Sequence, residues 1–67
     1  MIELLINGDP MPVHSEATLK DLLEQLELGN RRLAVELNET VVPRSLYRDV
    51  RLQPGDRIEI VHAIGGG

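Results

Sequence analysis

Leu19, Leu22, Leu23 and Leu26 fall at i, i+3, i+4 and i+7, and they form the one clear helical stripe in the chain. That spacing puts all four on a single face, with Lys20, Asp21, Glu24, Gln25 and Glu27 toward water. Thr18 is the expected N-cap, and Asp21 three residues later completes a short capping box. Gly29 and Asn30 are expected to take the left-handed conformation that ends the helix. A lone amphipathic helix must bury its stripe against something. The rest of the apolar pattern has a period of two, so that something is a sheet.

Ile2-Glu3-Leu4-Leu5-Ile6-Asn7 alternates as a half-buried strand with Ile2, Leu4 and Ile6 inward. Asn7-Gly8-Asp9-Pro10 is a hairpin turn, because Asn and Gly tolerate positive φ. Met11-Pro12-Val13-His14 is the return strand, and it belongs at a sheet edge because Pro12 has no N–H for a ladder. Leu33, Val35 and Leu37 point inward from a third strand, Asn38-Glu39 makes a turn, Thr40-Val41-Val42 is a short strand and Pro43 stops it. Ser45 to Arg48 forms a brief helical turn or loop. Val50-Arg51-Leu52 reads as a small edge strand, and Gln53-Pro54-Gly55-Asp56 as a tight turn. The last strand runs from Arg57 to about Ala63.

Hairpin, helix, then strands returning to the same sheet predict an α+β roll with one main helix across one face of a mixed sheet. The first and last strands are strongly aliphatic and are expected side by side at its centre. The helix would then cover Ile2, Leu4, Ile6, Ile58 and Ile60. With 67 residues there is room for one core, and such a chain buries only about 60% of the surface it exposes unfolded. No cysteine is available to staple it and Tyr47 is the sole aromatic, so stability rests on aliphatic packing.

The net charge of −4 argues against nucleic acid, which needs phosphate-neutralising cations and stacking aromatics. It argues equally against an anionic membrane surface, and it fits a soluble protein that meets a basic partner. Met1-Ile2-Glu3 does not open a secretory signal, and no stretch has the length of a membrane span. A cytoplasmic location is the expectation.

Conventional catalysis is hard to build from these residues. There is no thiol, His14 and His62 have no metal-ligand spacing, and Ser15 and Ser45 have no evident base. The acidic residues are spread along solvent faces. What stands out chemically is the close of the chain, Ala63-Ile64-Gly65-Gly66-Gly67, directly after the strongest strand. Three glycines form neither a stable helix turn nor a packed strand. They suit a tail, residues 64–67, carried by a body of residues 1–63 and presenting the carboxylate of Gly67. The ordinary reading of such an end is fraying. The chemical one is attack of the carboxylate on the α-phosphorus of ATP held by another protein, in a channel that side chains would obstruct. Ile64 to Gly67 fully extended reaches roughly 13–14 Å, at about 3.3–3.6 Å per residue.

Strand parity turns Leu5 and Val61 away from the helix, beside Glu3, Glu59 and Ala63, onto a face with no second helix to cover it. Two aliphatics on adjacent central strands next to the tail make that face a docking candidate. Arg44, Arg48, Arg51 and Arg57 cluster in the second half. They read as solvated charge, or as cations pairing with a partner's acidic residues near the tail.

Four stretches carry a family resemblance. They are the opening strand with Asn7-Gly8, the Leu-rich helix from Thr18, the segment Ala34-Val35-Glu36-Leu37-Asn38-Glu39-Thr40-Val41-Val42-Pro43-Arg44, and the close from Gly55 to Gly67. Together they resemble, over essentially the whole chain, the ubiquitin-like β-grasp sulfur carriers of thiamin (thiazole) biosynthesis. The resemblance implies a β-grasp fold and a carrier that is not itself an enzyme. Gly67 would be adenylated by an ATP-dependent activating enzyme and converted to a thiocarboxylate, with sulfur from a persulfide donor. Thiazole synthase would take the sulfur. Gly66 and Gly67 match the family's usual pair, and Gly65 is one glycine more. Partner contacts are expected at Leu5, Val61, Ile64, Gly65 and Gly66. The chain itself would bind no cofactor or metal, ATP being held by the activating partner. The small subunit of molybdopterin synthase and an interaction module with an inert tail are the alternatives. The segment before the glycines, His62-Ala63-Ile64, lacks the prolines of the former.

Overall fold

The computed structural model describes residues 1–62. Five strands form one sheet: β1 (Ile2–Ile6), β2 (Asp9–Val13), β3 (Leu33–Leu37), β4 (Thr40–Val41) and β5 (Arg57–His62), in the order β2-β1-β5-β3-β4. β1 and β5 are parallel and central; the other pairs are antiparallel. The helix α1 (Leu19–Gln25) and a 3-10 helix (Arg44–Asp49) are the remaining elements. This is the expected β-grasp, with one helix held against a mixed sheet.

Local chemistry explains the element boundaries. Asn7 and Gly8 have φ of 50° and 89°, and Asn38 and Glu39 have 51° and 71°. Both hairpins therefore turn through two left-handed residues, the combination whose twist matches the flanking strands. β2 carries Pro10 and Pro12 and takes the outer edge, as the missing N–H groups require. Thr18 caps α1 reciprocally: Asp21 N–H donates to its hydroxyl at 3.2 Å, and its own N–H donates to the Asp21 carboxylate at 2.9 Å. That second bond, then the Thr18 hydroxyl, holds the Asp21 carboxyl below its ordinary pKa.

Leu19, Leu22 and Leu23 are buried, and Leu26 packs at the margin of a core that includes Leu4, Val13, Val35, Leu52, Ile58 and Ile60. Ile2 and Ile6 pack against it from β1. Each such aliphatic side chain removed from water contributes about 1.5–3 kcal/mol. Tyr47, in the 3-10 helix, closes the core beside α1.

Two sequence expectations need correction. The left-handed residue that ends α1 is Glu27, with φ of 60°; neither Gly29 nor Asn30 adopts positive φ. Glu27 N–H bonds to Glu24 O at 3.0 Å and Leu28 N–H to Leu23 O at 2.8 Å. These are the two bonds of a Schellman motif, and it folds Leu28 back against the core beside Leu23. Apolar contact, not backbone freedom, sets where the helix stops. Second, Val50–Leu52 is not a strand of the sheet. Leu19 N–H bonds to Val50 O and Leu52 N–H to Ala17 O, so this segment makes a single bridge to the entry of α1.

Candidate functional site

β5 is the element that leads to the glycine run, and it is paired on both flanks. Ile58 and Ile60 anchor it in the core, while Glu59, Val61 and His62 are exposed. On one flank it pairs with β1; on the other, five residue pairs from Leu33↔His62 to Leu37↔Ile58 join it to β3. Two asparagine side chains extend these ladders past the ends of the neighbouring strands. The Asn7 amide bonds to both backbone groups of Ile60. Asn38 Oδ1 accepts from Arg57 N–H at 2.9 Å, and Asn38 Nδ2 donates to Asp56 Oδ1 at 3.0 Å. The strand is thereby fixed at its start and near its end.

The face away from α1 is open. Val61, 57% exposed, stands opposite Ala34 of β3, and Glu59 stands opposite Glu36, which in turn pairs with Val41. Val41 is 65% exposed and shares this face. Its upper part is thus Val61, Ala34 and Val41 around two carboxylates. Leu5 lies on the same face but is half-buried between Pro10 and Arg57. In register with Arg57, it stands four residues short of Val61, about 13 Å along the strand. Leu5 and Val61 share a face without forming one patch. Ile64, Gly65, Gly66 and Gly67, with Ala63, lie outside the described residues.

The arginines divide. Arg57 starts β5, at the end away from residue 62, and Arg51 bridges to Thr18. Arg44 reaches across to the Gly29 carbonyl at 3.0 Å, on the helical side. The cations nearest the end of β5 in topology are Arg31 and Arg32, which lead into Leu33, the partner of His62. Nothing in their sequence spacing marks them. Only the register of β3 on β5 brings them there. Among the described residues no group of three or more His, Asp or Glu side chains is placed to hold a metal ion. Among the same described residues no helix is long and apolar enough to cross a membrane.

The ThiS family model matches residues 4–67. The sulfur carrier protein ThiS of Bacillus subtilis is 42% identical over 65 residues, covering 96% of this chain and 98% of that protein. A thiazole synthase of Paramagnetospirillum magneticum is 41% identical over 66 residues, and this chain spans only 20% of its length. The crystal structure of a thiamine biosynthesis protein (ThiS) from Geobacter metallireducens superposes with a TM-score of 0.85 at 29% identity, covering 98% of this chain and all of the other. The matched span takes in the pinned central strand and the glycine close, and the chain belongs to the ThiS family.

Proposed function

We propose that this chain is a protein co-substrate that carries sulfur as a thiocarboxylate on Gly67 and delivers it for thiazole formation in thiamin biosynthesis. The observation that carries the reading is that the family match runs through residue 67, so the glycine run lies inside it. The body, residues 1–63, docks on a partner, and residues 64–67 enter its active site.

The chemistry follows from the carboxylate. With a pKa of about 3.3–3.7 it is an anion at neutral pH and a poor electrophile. Its oxygen attacks the α-phosphorus of ATP on an adenylating enzyme, pyrophosphate leaves, and the acyl-adenylate is activated. The outer sulfur of a persulfide on a donor protein displaces AMP at the carbonyl carbon. A second thiol then cleaves the sulfur–sulfur bond, leaving the thiocarboxylate on Gly67 and a disulfide elsewhere. Thiazole synthase takes the sulfur. That a fifth of certain thiazole synthases resembles this chain supports the pairing of carrier and synthase. Glycines at 65–67 let the backbone approach the nucleotide closely. Val61, Leu5, Ile64, Gly65 and Gly66 contact the partner, and the cytoplasm supplies the ATP and thiols.

Intact mass with tail fragmentation, on protein recovered from cells making thiamin, tests this. Sulfur in place of an oxygen on Gly67 is the expected result. Fragmentation is needed because oxidation of Met1 or Met11 adds nearly the same nominal mass. A tail unmodified even after incubation with an activating enzyme, ATP and a persulfide donor would overturn it.

A further inference from the structure

On the side opposite the open sheet face, α1 and the 3-10 helix leave a cleft of about 350 Å3. Leu23 and Tyr47, both buried, form its floor; Lys20, Arg44 and Arg48 stand along its walls with one carboxylate, Glu24. Three cations to one anion reverse the sign of a chain whose net charge is −4. Glu24 does little to cancel them. It approaches only Lys20, at 4.0 Å, with both side chains more than half exposed. Such a surface pair is weak. Among the described residues no carboxylate lies within ion-pair distance of Arg44 or Arg48. Arg44 is aimed by the Gly29 carbonyl, which fixes its direction and leaves its charge whole.

We propose that this cleft docks an acidic, extended segment of a partner protein. A compact phosphate is bound best by donors that converge on one point. Here the cations come from two elements, Lys20 from α1 and Arg44 and Arg48 from the first and last turns of the 3-10 helix, and Glu24 lines the cleft with them. An extended segment can space its carboxylates to meet Lys20, Arg44 and Arg48, pass Glu24, and lay an apolar side chain on Leu23 and Tyr47. Opposite potentials then select and orient the partner. The rest of the surface, acidic in balance, repels the same segment, which confines docking to this side. None of the cleft residues belongs to the open sheet face. The carrier body can therefore be held here by one protein while Val61 and its neighbours face another. The inference stands apart from the chemistry proposed for Gly67.

The test is an NMR titration of the nitrogen-labelled full chain with an end-blocked, glutamate-rich peptide bearing leucine at every third position. A lysine-for-glutamate version of that peptide and inorganic phosphate, at equal ionic strength, are the comparisons. The expected result is saturable shift changes at Lys20, Leu23, Arg44 and Arg48, none at Leu5, Val41 or Val61, and weakening by added salt. Arg48→Glu weakens binding about tenfold; Lys20→Glu, on the exposed side of α1, does likewise if the first variant perturbs the fold. Absence of saturable changes, changes centred on the sheet face, or unaltered binding by both variants overturns the proposal. So does equal binding of the lysine peptide, or phosphate producing the same shifts at lower concentration.

Discussion

The side-chain amide of Asn7 stands in for a strand residue opposite Ile60: Ile60 N–H donates to Asn7 Oδ1 at 2.8 Å, and Asn7 Nδ2 donates to Ile60 O at 3.2 Å. The parallel ladder of β1 on β5 reaches its last regular bond at Asn7 N–H to Ile58 O, 2.8 Å. Positive φ at Asn7 then swings the main chain away into the hairpin. Without the side chain, both polar groups of Ile60 would lose their partners on that flank.

Two terms therefore attach to Asn7. The pair of bonds is worth about 2 kcal/mol, and alanine at positive φ adds about 1 kcal/mol. Asn7→Ala should destabilise by about 3 kcal/mol and Asn7→Gly, which accepts the φ, by about 2 kcal/mol. Urea unfolding measures both. Equal losses would remove the φ term, and losses well under 1 kcal/mol in both would show that the bonds to Ile60 contribute nothing.

This device shows what sequence reasoning reaches and where it stops. Asn7-Gly8 is legible as a turn, Pro12 as an edge and the leucine stripe as a helix, because each is a local preference written in neighbouring residues. That Asn7 also serves Ile60, and Asn38 serves Arg57, depends on partners 53 and 19 positions away, for which no period exists. The end of α1 departs from the sequence expectation for a related reason. Gly29 is the residue with the freedom to stop a helix, yet the fit of Leu28 against Leu23 stops it at Glu27. The open face was legible by parity, but its division into a Leu5 part and a Val61 part needed the register of β1 on β5. The cleft cations come from elements 24 to 28 positions apart in sequence, Lys20 against Arg44 and Arg48.

Glu27 pays a conformational penalty that glycine would not. A side chain in the left-handed region costs about 1–2 kcal/mol, offset in part by the greater entropy glycine has when unfolded. Glu27→Gly should stabilise the protein by about 0.5–1 kcal/mol, read as a rise in the urea midpoint at unchanged slope. No rise would mean that the Schellman bonds do not confine Glu27 in solution.

The capping box makes part of the stability pH-dependent. The Asp21 carboxyl is held below its ordinary value of 3.8 by the Thr18 N–H. Its contribution is therefore complete above that value and is lost as pH falls through the lower, folded-state value. Urea midpoints of the native chain and Asp21→Asn should differ by a constant amount above about pH 5, and the difference should shrink as the solution is acidified below 3.8. A difference that widens in acid would reverse the assigned sign.

The two aliphatics of the open face should not be equivalent in partner docking. Val61 is 57% exposed and one residue from the last described position of β5, whereas Leu5 is half-buried about 13 Å lower, beside Arg57. Val61 is the exposed aliphatic of β5 nearest residues 64–67 in sequence, so a partner that receives them is expected to meet it before Leu5. Glutamate there would add a third charge to Glu59 and Glu36, already opposite one another. Val61→Glu should slow adenylation by the activating enzyme about tenfold, measured as pyrophosphate release, and Leu5→Glu should slow it less. A comparison of their amide spectra with the native one separates docking from folding, since Leu5 is the more enclosed of the two. Equal slowing with native spectra would mean that the partner covers the whole face from Pro10 to Val61. No slowing by Val61→Glu would remove the open face from the docking surface.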